Sequence, residues 1–149
     1  MCSSDLNRER RADAATRREL FETVLLYTPA GEVHDGISRA AAFQFDLGID
    51  PSVRLLDHGM KTVAFDVAIM PIVRALGNGS RLSCADTVPL CLWVAARHLD
   101  DYQSAIVNTI RAGGDIDTNA AIVGGIVALA VGAAAIPKDW LADREELVI

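Results

Sequence analysis

The sequence predicts an all-α protein, for three reasons. Hydrophobic residues make up 51% of the chain but aromatic residues only 5%, so the apolar content is mainly Ala, Val, Leu and Ile, which suits packed helices. Apolar residues recur at three-to-four-residue spacing, as they do on one face of a helix. No segment shows the alternation of β-branched residues that a strand would require. A chain of 149 residues is expected to form one domain of ordinary size.

The first half of the chain divides into three predicted helices. Residues 5–27 contain no Gly or Pro and are rich in Arg, Glu, Ala and Leu, which predicts an exposed helix. After the break at "TPAGE", the segment "EVHDGISRAAAFQF" resumes with helically spaced apolar positions, namely Val33, Ile37, Ala40, Ala41 and Phe45. Residues 52–76 also look helical, with interruptions at Gly59 and Pro71.

A turn and a central helix follow. The sequence "GNGS", Gly77 to Ser80, predicts a turn. Asp86 is a plausible N-cap for the next helix, and Pro89 would then fall in its first turn, where its missing N–H costs little. From Thr87 to His98 this helix is apolar almost all round, which predicts a central position in the core.

Three more helices complete the predicted chain. Asp100 or Asp101 can cap the segment "YQSAIVNTIRA", and Gly113 is well placed to end it. A Gly/Ala-rich helix then runs to about Ala135 and is stopped by Pro137. The segment "KDWLADREEL" predicts a short final helix.

Composition limits the partners and the compartment. A formal net charge of −6 argues against nucleic acid, because phosphate binding needs clustered Lys and Arg. The run of 20 uncharged residues from Thr118 to Pro137 could span a bilayer by length. It is dominated by Ala and Gly, lacks Trp and Tyr, and has sparse basic flanks, so a buried helix is favoured and no membrane partner is predicted. Three cysteines and a polar N-terminus predict a reducing, cytoplasmic location.

Two carboxylates in "RAGGDIDTNAAIVGG" leave two interpretations open. In the first, Asp117 or Thr118 caps the Gly/Ala-rich helix, where a carboxylate is also favoured by the helix dipole. In the second, Asp115, Asp117 and Thr118 converge as hard oxygen ligands suited to Mg²⁺ or Mn²⁺. The preceding glycine pair supplies the unusual backbone angles that such convergence requires.

Other reactive residues have simpler interpretations. Cys84, Cys91 and His98 are spaced by sevens, so on one helix they would stand about 10 Å apart in steps. Zinc ligands must approach the ion to about 2.0–2.3 Å, so these residues cannot share one and are interpreted as a core stripe. His34 and His58 have no Ser or Cys at a spacing that indicates a catalytic triad.

Packing roles are predicted for two tryptophans and three glycines. Trp93 lies in the middle of the apolar helix and is predicted to be core, whereas Trp140 would pack the last helix down. Small residues let neighbouring helices approach closely, which is predicted for the following glycines: Gly124, Gly125 and Gly132.

The glycine–aspartate segment resembles a known family motif. "AGGDIDTNAAIVGGIVA" resembles the G-G-D-x-D-T-x-A-A metal-binding motif in the C-terminal part of the ADP-ribosylglycohydrolase family. Its matching positions are Gly113, Gly114, Asp115, Asp117, Thr118, Ala120 and Ala121. "AIPKDWL" resembles the family's I-P-x-x-W-L ending, and "ADTVPLCLWVAARHLDDY" resembles the segment before the motif in some members. The resemblance covers roughly residues 28–147.

The resemblance implies a fold, a cofactor and a reaction. The family fold is an orthogonal all-α helical bundle with a centre of two Mg²⁺ or Mn²⁺ ions. The ions help to bind ADP-ribose and assist cleavage of the glycosidic bond at C1″ of ADP-ribose conjugates. By this resemblance, Asp115, Asp117 and Thr118 would be metal ligands from the C-terminal side of the centre.

Departures from the family pattern are equally informative. The family's other ligands come from a T-D-D motif, which is absent from this sequence, as are the G-D-x-x-G and S-N-G-x-x-M-R segments. The only Asp-Asp pair, Asp100-Asp101, lies at a helix junction and is not assigned to that role. Residues 28–149 are therefore expected to be the C-terminal part of an incomplete family domain, and residues 1–27 a polar helix outside the family sequence.

Two function classes remain open at this stage. The first is a magnesium-dependent hydrolase of ADP-ribose conjugates, represented here by its C-terminal half and inactive as an isolated chain. The second is a non-catalytic helical folding or interaction module that keeps the metal motif. Helices that lack N-terminal partners would expose apolar faces, so self-association is also expected.

Overall fold

The structure is a computed structural model that describes residues 12–46 and 69–145, and within these ranges it contains helices and no strand. The helices are α1 (Ala14–Tyr27), α2 (Glu32–Asp46), α3 (Ile69–Leu76), α4 (Cys84–Arg97), α5 (Tyr102–Ala112), α6 (Ile116–Val131), a 3-10 helix (Ala133–Ala135) and α7 (Lys138–Ala142). The predicted all-α class is confirmed. The predictions for residues 5–11, for residues 47–68 with His58 and Gly59, and for residues 146–149 lie outside the described residues.

Helix α4 is the centre of the bundle. It packs most extensively against α2 and α6, and it also contacts α1, α3 and α5. Every residue from Pro89 to Arg97 is buried, and Trp93 is only 1% exposed. The Arg97 guanidinium lies over the Trp93 ring at 5.6 Å from its centroid. The prediction of a central, all-round apolar helix with Trp93 in the core is confirmed.

The predicted start of this helix is wrong by three residues. Helix α4 begins at Cys84 after an extended Ser83, so Asp86 lies inside the first turn and Pro89 inside the helix. The Asp86 carboxylate does not cap α4, because it accepts the backbone N–H of Arg81 at 2.9 Å instead. The chain before α4 folds back over the carboxylate, a contact that residue types alone do not reveal.

The limits of α5 follow the predicted signals. The Asp101 carboxylate caps the helix by accepting the Ser104 N–H at 3.0 Å and the Ser104 hydroxyl at 2.7 Å. Gly113 ends the helix at φ 67°, which only glycine adopts readily. Asp100 is engaged elsewhere, since its carboxylate lies 3.5 Å from the Arg17 guanidinium. The predicted cap and the predicted glycine stop are confirmed.

Helix α6 is shorter than predicted. It ends at Val131, because Gly132 adopts φ 80°, and a 3-10 turn rather than α-helix leads to Ala135. No helix in the described part of the chain has the length and apolar content needed to cross a membrane. Helix α7 ends at Ala142, and its Trp140 ring packs at a tilt on Tyr102, with ring centroids 6.2 Å apart.

Only one of the three predicted packing glycines brings helices together. A Cβ on Gly124 would lie 3.1 Å from the Tyr102 hydroxyl and 3.2 Å from Ile106 Cδ1, so α5 and α6 approach closely there. A Cβ on Gly125 or Gly132 would meet nothing within 4 Å. Close packing is therefore supported at Gly124, and the prediction is wrong for the other two positions.

A closer approach occurs at Gly36, where α2 meets α4. A Cβ at this position would lie 2.5 Å from Cγ of Pro89, inside a core that cannot expand freely. We expect Gly36→Ala to lower the free energy of unfolding by about 1–3 kcal/mol through overpacking. Gly125→Ala is the matched control, since it should raise that free energy by about 0.5–1 kcal/mol through helix propensity. Urea denaturation measures both, and equal effects would contradict this account of Gly36.

Candidate metal centre

The predicted ligands lie together at the N-terminal end of α6. Asp115 occupies the N-cap position, with φ −81° and ψ 75°, and Asp117 lies in the first turn. Neither Asp117 nor Thr118 is the cap, so the capping interpretation of those two residues is wrong. Asp115 itself makes no side-chain cap hydrogen bond. Its carboxylate therefore does not cap the helix that it begins.

Two consecutive glycines set the direction of the chain before Asp115. Gly113 has φ 67° and Gly114 has φ 73°, both in the left-handed region that favours glycine. They turn the backbone sharply between the end of α5 and the start of α6. As a result, Asp115 is half-buried at the junction, while Asp117 and Thr118 are exposed beside it.

The two carboxyl groups converge. A side-chain hydrogen bond with Asp115, followed by the backbone N–H groups of Asp117 and Thr118, lowers the pKa of Asp117 below its ordinary value of 3.8. A lowered pKa keeps Asp117 ionised at neutral pH, as a metal ligand must be. The N-terminal end of α6 also presents the positive end of the helix dipole. The start of α6 therefore carries two carboxyl groups, those of Asp115 and Asp117, and the hydroxyl of the next residue, Thr118.

This donor set fits a hard cation in part. Mg²⁺ prefers six oxygen ligands in octahedral geometry and usually retains several waters. Asp115, Asp117 and Thr118 offer oxygen donors of the right chemistry. Among residues 12–46 and 69–145, however, no group of three or more His, Cys, Asp or Glu side chains comes together as a metal site. These residues could therefore supply one part of a coordination shell.

Cys84, Cys91 and His98 do not converge in the structure. Cys84 is exposed at the start of α4, and Cys91 is buried in its middle. The Cys91 thiol lies 3.5 Å from Oδ1 of Asn119. His98 is buried just beyond the end of α4, where its Nε2 lies 3.3 Å from Nδ2 of Asn108. Their interpretation as separate residues along a helix agrees with these positions.

The two described cysteines should differ in reactivity. Burial, followed by the nearby negative charge of Asp115, raises the pKa of Cys91 to about 12. A thiol with so high a pKa contains almost no thiolate at pH 8, and thiolate is the reactive form. We expect iodoacetamide at pH 8 to alkylate Cys84 and to leave Cys91 unmodified until the chain is unfolded. Peptide mass mapping reads out each site, and rapid labelling of Cys91 in the folded chain would contradict its position.

A turn packs against the segment that contains Asp115 and Asp117, and the sequence did not predict this contact. In this turn, Gly77–Ser80, the Asn78 carbonyl oxygen accepts the backbone N–H of Asp115 at 3.2 Å. It also accepts Nδ2 of Asn119 at 2.8 Å. The one available signal was a polar Asn between two glycines, and it indicates a turn without indicating what the turn contacts.

The same turn borders a polar cavity of about 570 Å³ between α2, α3 and the start of α4. Carboxylates and guanidinium groups both line it, namely Glu32, Asp35, Arg39, Arg74, Arg81 and Asp86. No motif in the sequence predicted this cavity, because its walls come from segments that are distant along the chain. The turn thus has the Asp115 junction on one side and the cavity on the other.

Comparison with known proteins identifies a family. A family model described as ADP-ribosylglycohydrolase matches residues 6–148, which is nearly the whole chain. No curated protein and no solved structure gives a significant match. The match takes in both the N-terminal helix and the segment that contains Asp115 and Asp117.

Proposed function

Because the chain belongs to the ADP-ribosylglycohydrolase family, we propose that it is a metal-dependent hydrolase that cleaves the glycosidic bond at C1″ of ADP-ribose conjugates. The family is one of hydrolases and is generally metal-dependent. We further propose that Asp115, Asp117 and Thr118 hold Mg²⁺ or Mn²⁺, and that this chain supplies one side of a two-ion centre. The observation that carries the proposal is that the carboxylate of Asp115 does not cap α6 and instead pairs with that of Asp117.

Comparison with the other aspartate caps of this chain gives that observation its weight. Asp13 begins α1 and accepts the N–H of Thr16 at 2.8 Å. Asp101 begins α5 and accepts the N–H of Ser104 at 3.0 Å. Asp115 holds the same position on α6 but makes no such bond, and its carboxyl group pairs with that of Asp117 instead. Paired carboxylate oxygens of this kind are donors that Mg²⁺ and Mn²⁺ prefer.

The residues of the chain would hold and orient the ion. Carboxylates of Asp115 and Asp117 supply negative charge, and the Thr118 hydroxyl supplies a neutral oxygen. A bound divalent cation stabilises developing negative charge and orients oxygen groups of the substrate. The opposing ligands would come from a T-D-D motif of the kind that the family carries and this sequence lacks.

The absence of a T-D-D motif from the sequence also favours a second candidate function. In that case the chain is a helical folding or interaction module that retains the metal motif without catalysis. Leu129 of α6 is 90% exposed and Leu82 is 84% exposed, which is consistent with the expected self-association of either form.

Hydrolysis by a chain extended upstream through a T-D-D motif separates these functions. We expect the extended chain to release ADP-ribose from ADP-ribosyl-arginine or ADP-ribosyl-serine peptide in the presence of Mg²⁺, and Asp115→Ala to abolish the release. Asp101→Ala is the matched control, since it removes a true helix cap, at a cost of about 0.5–2 kcal/mol of stability, and leaves the site intact. An extended chain that folds, binds Mg²⁺ and hydrolyses neither peptide would favour the non-catalytic module.

A further inference from the structure

One residue of the Gly77–Ser80 turn, Asn78, forms hydrogen bonds on both sides of the glycine pair Gly113–Gly114. The Asn78 carbonyl oxygen accepts the Asp115 N–H at 3.2 Å, on the α6 side of the pair. Nδ2 of Asn78 donates to the Ala112 carbonyl at 3.0 Å, on the α5 side. Nδ2 of Asn119, one turn into α6, donates to the same Asn78 carbonyl at 2.8 Å. The backbone of Asp115 is thereby fixed from outside its own helix.

The contact between turn and motif leaves no free space. A Cβ on Gly114 would clash with the Asn78 carbonyl oxygen and would lie 2.5 Å from Asn78 Cγ. From the other side, a Cβ on Gly79 would lie 2.9 Å from Cβ of Asp115. A side chain therefore cannot be accommodated at Gly114 or at Gly79, even apart from their positive φ angles. A displacement of the turn would displace Asp115.

Asp86 anchors the turn from behind. Its side chain is buried, and the residue is only 6% exposed. The carboxylate accepts the Arg81 N–H at 2.9 Å, and the backbone carbonyl of Asp86 accepts the Gly79 N–H at 2.9 Å. A Cβ on Gly77 would clash with the same carboxylate. The turn is thus held between the start of α4 and the start of α6.

We propose that this turn positions the metal ligands, with Asn78 as the positioning residue that sets the backbone of Asp115, an inference that rests on the proposed function. Outer-shell groups that orient a metal ligand typically contribute 10- to 100-fold in metal affinity. Asn78 can affect metal affinity without contacting the ion, since it fixes the backbone of Asp115, whose carboxylate is one of the proposed ligands.

Adjacent glycines provide a matched test. Gly113 and Gly114 both have left-handed φ angles, of 67° and 73°, so alanine strains the backbone at either position. Only Gly114→Ala brings a Cβ into the Asn78 carbonyl, because at Gly113 the nearest atom is Asn78 Nδ2 at 3.8 Å. Mn²⁺ affinity, read from the paramagnetic resonance signal of the free ion, should fall about 10- to 100-fold in Gly114→Ala. Gly113→Ala strains the same turn without this collision, so it should lose less Mn²⁺ affinity than Gly114→Ala.

A second pair covers the case in which Gly114→Ala does not fold. Asn119→Ala removes one donor to the Asn78 carbonyl. Asn108→Ala removes an equally buried asparagine that bonds to the Ser104 carbonyl and contacts His98, away from the Gly77–Ser80 turn. Both truncations should lower the melting temperature. Only Asn119→Ala should also weaken Mn²⁺ binding.

The outcomes separate the positioning proposal from the proposed function. Weaker binding in Gly114→Ala or Asn119→Ala than in the paired control supports the positioning role. Equal Mn²⁺ affinity within both pairs, with a wild type that binds, overturns the positioning role and leaves the proposed function standing. A folded wild type that binds no Mn²⁺ overturns the metal assignment, and the positioning role falls with it.

Discussion

The 149-residue chain on its own will release no detectable ADP-ribose from ADP-ribosyl-arginine or ADP-ribosyl-serine peptides in Mg²⁺. Its sequence contains no T-D-D motif to oppose Asp115 and Asp117. Metal ions stabilise charge and orient groups only when their coordination is fixed from several sides. Correct orientation of reacting groups can be worth about 7–11 kcal/mol of barrier, so its loss removes measurable turnover.

Two comparisons make this result interpretable. The same preparation should retain its helical circular dichroism, which shows that a folded chain was assayed. The chain extended upstream through a T-D-D motif should be active under the same conditions. Turnover by the 149-residue chain that disappears in Asp115→Ala would contradict the prediction, because it would mean that this chain, alone or as a dimer, builds a complete site.

The largest loss of stability is expected from Trp93→Ala. Trp93 is 1% exposed at the centre of α4, and truncation would leave a cavity where five other helices converge on that helix. Phe or Trp to Ala changes in cores typically cost about 3–5 kcal/mol. The lost contact of Arg97 with the ring, at 5.6 Å, adds to that cost. We therefore expect a fall of about 3–5 kcal/mol in the free energy of unfolding, measured by urea denaturation.

Trp140→Ala is the control for that measurement. Trp140 is 38% exposed on the short helix α7, and its ring contacts Tyr102. The loss of such an aromatic pair is worth about 0.5–1.5 kcal/mol beyond the buried area. Equal losses at the two tryptophans would contradict the central position of α4.

The sequence predicted those features that local chemistry determines. Three-to-four-residue spacing of apolar residues predicted the helices, and their buried faces agree, as at Ile37 and Ala40 of α2. Asp101 and Gly113 were recognised as the limits of α5, because capping and left-handed φ angles depend on residues close in sequence. Asp86 has the same chemistry as Asp101 but was assigned wrongly, because its carboxylate is used by a turn that folds back from Arg81.

The candidate site divides in the same way. The motif placed Asp115, Asp117 and Thr118 at the start of a helix, and the structure places them there. The contact of Asn78 with Gly114 and its hydrogen bond with Asp115 could not be predicted, since they join segments that are far apart in the chain. The bonding of Asp115 also could not be predicted, because an aspartate at an N-cap ordinarily accepts an N–H of its own helix.

Binding of a divalent cation by Asp115 and Asp117 is tested most directly by a paired Mn²⁺ titration. Asp117→Asn keeps the shape of the exposed side chain and removes its charge, so the fold should be unchanged. Isothermal titration calorimetry should show weak Mn²⁺ binding by the wild type, whose three donors leave the rest of the coordination shell to water. Asp117→Asn should lose this binding. Equal affinity of the wild type and Asp117→Asn would contradict the assignment.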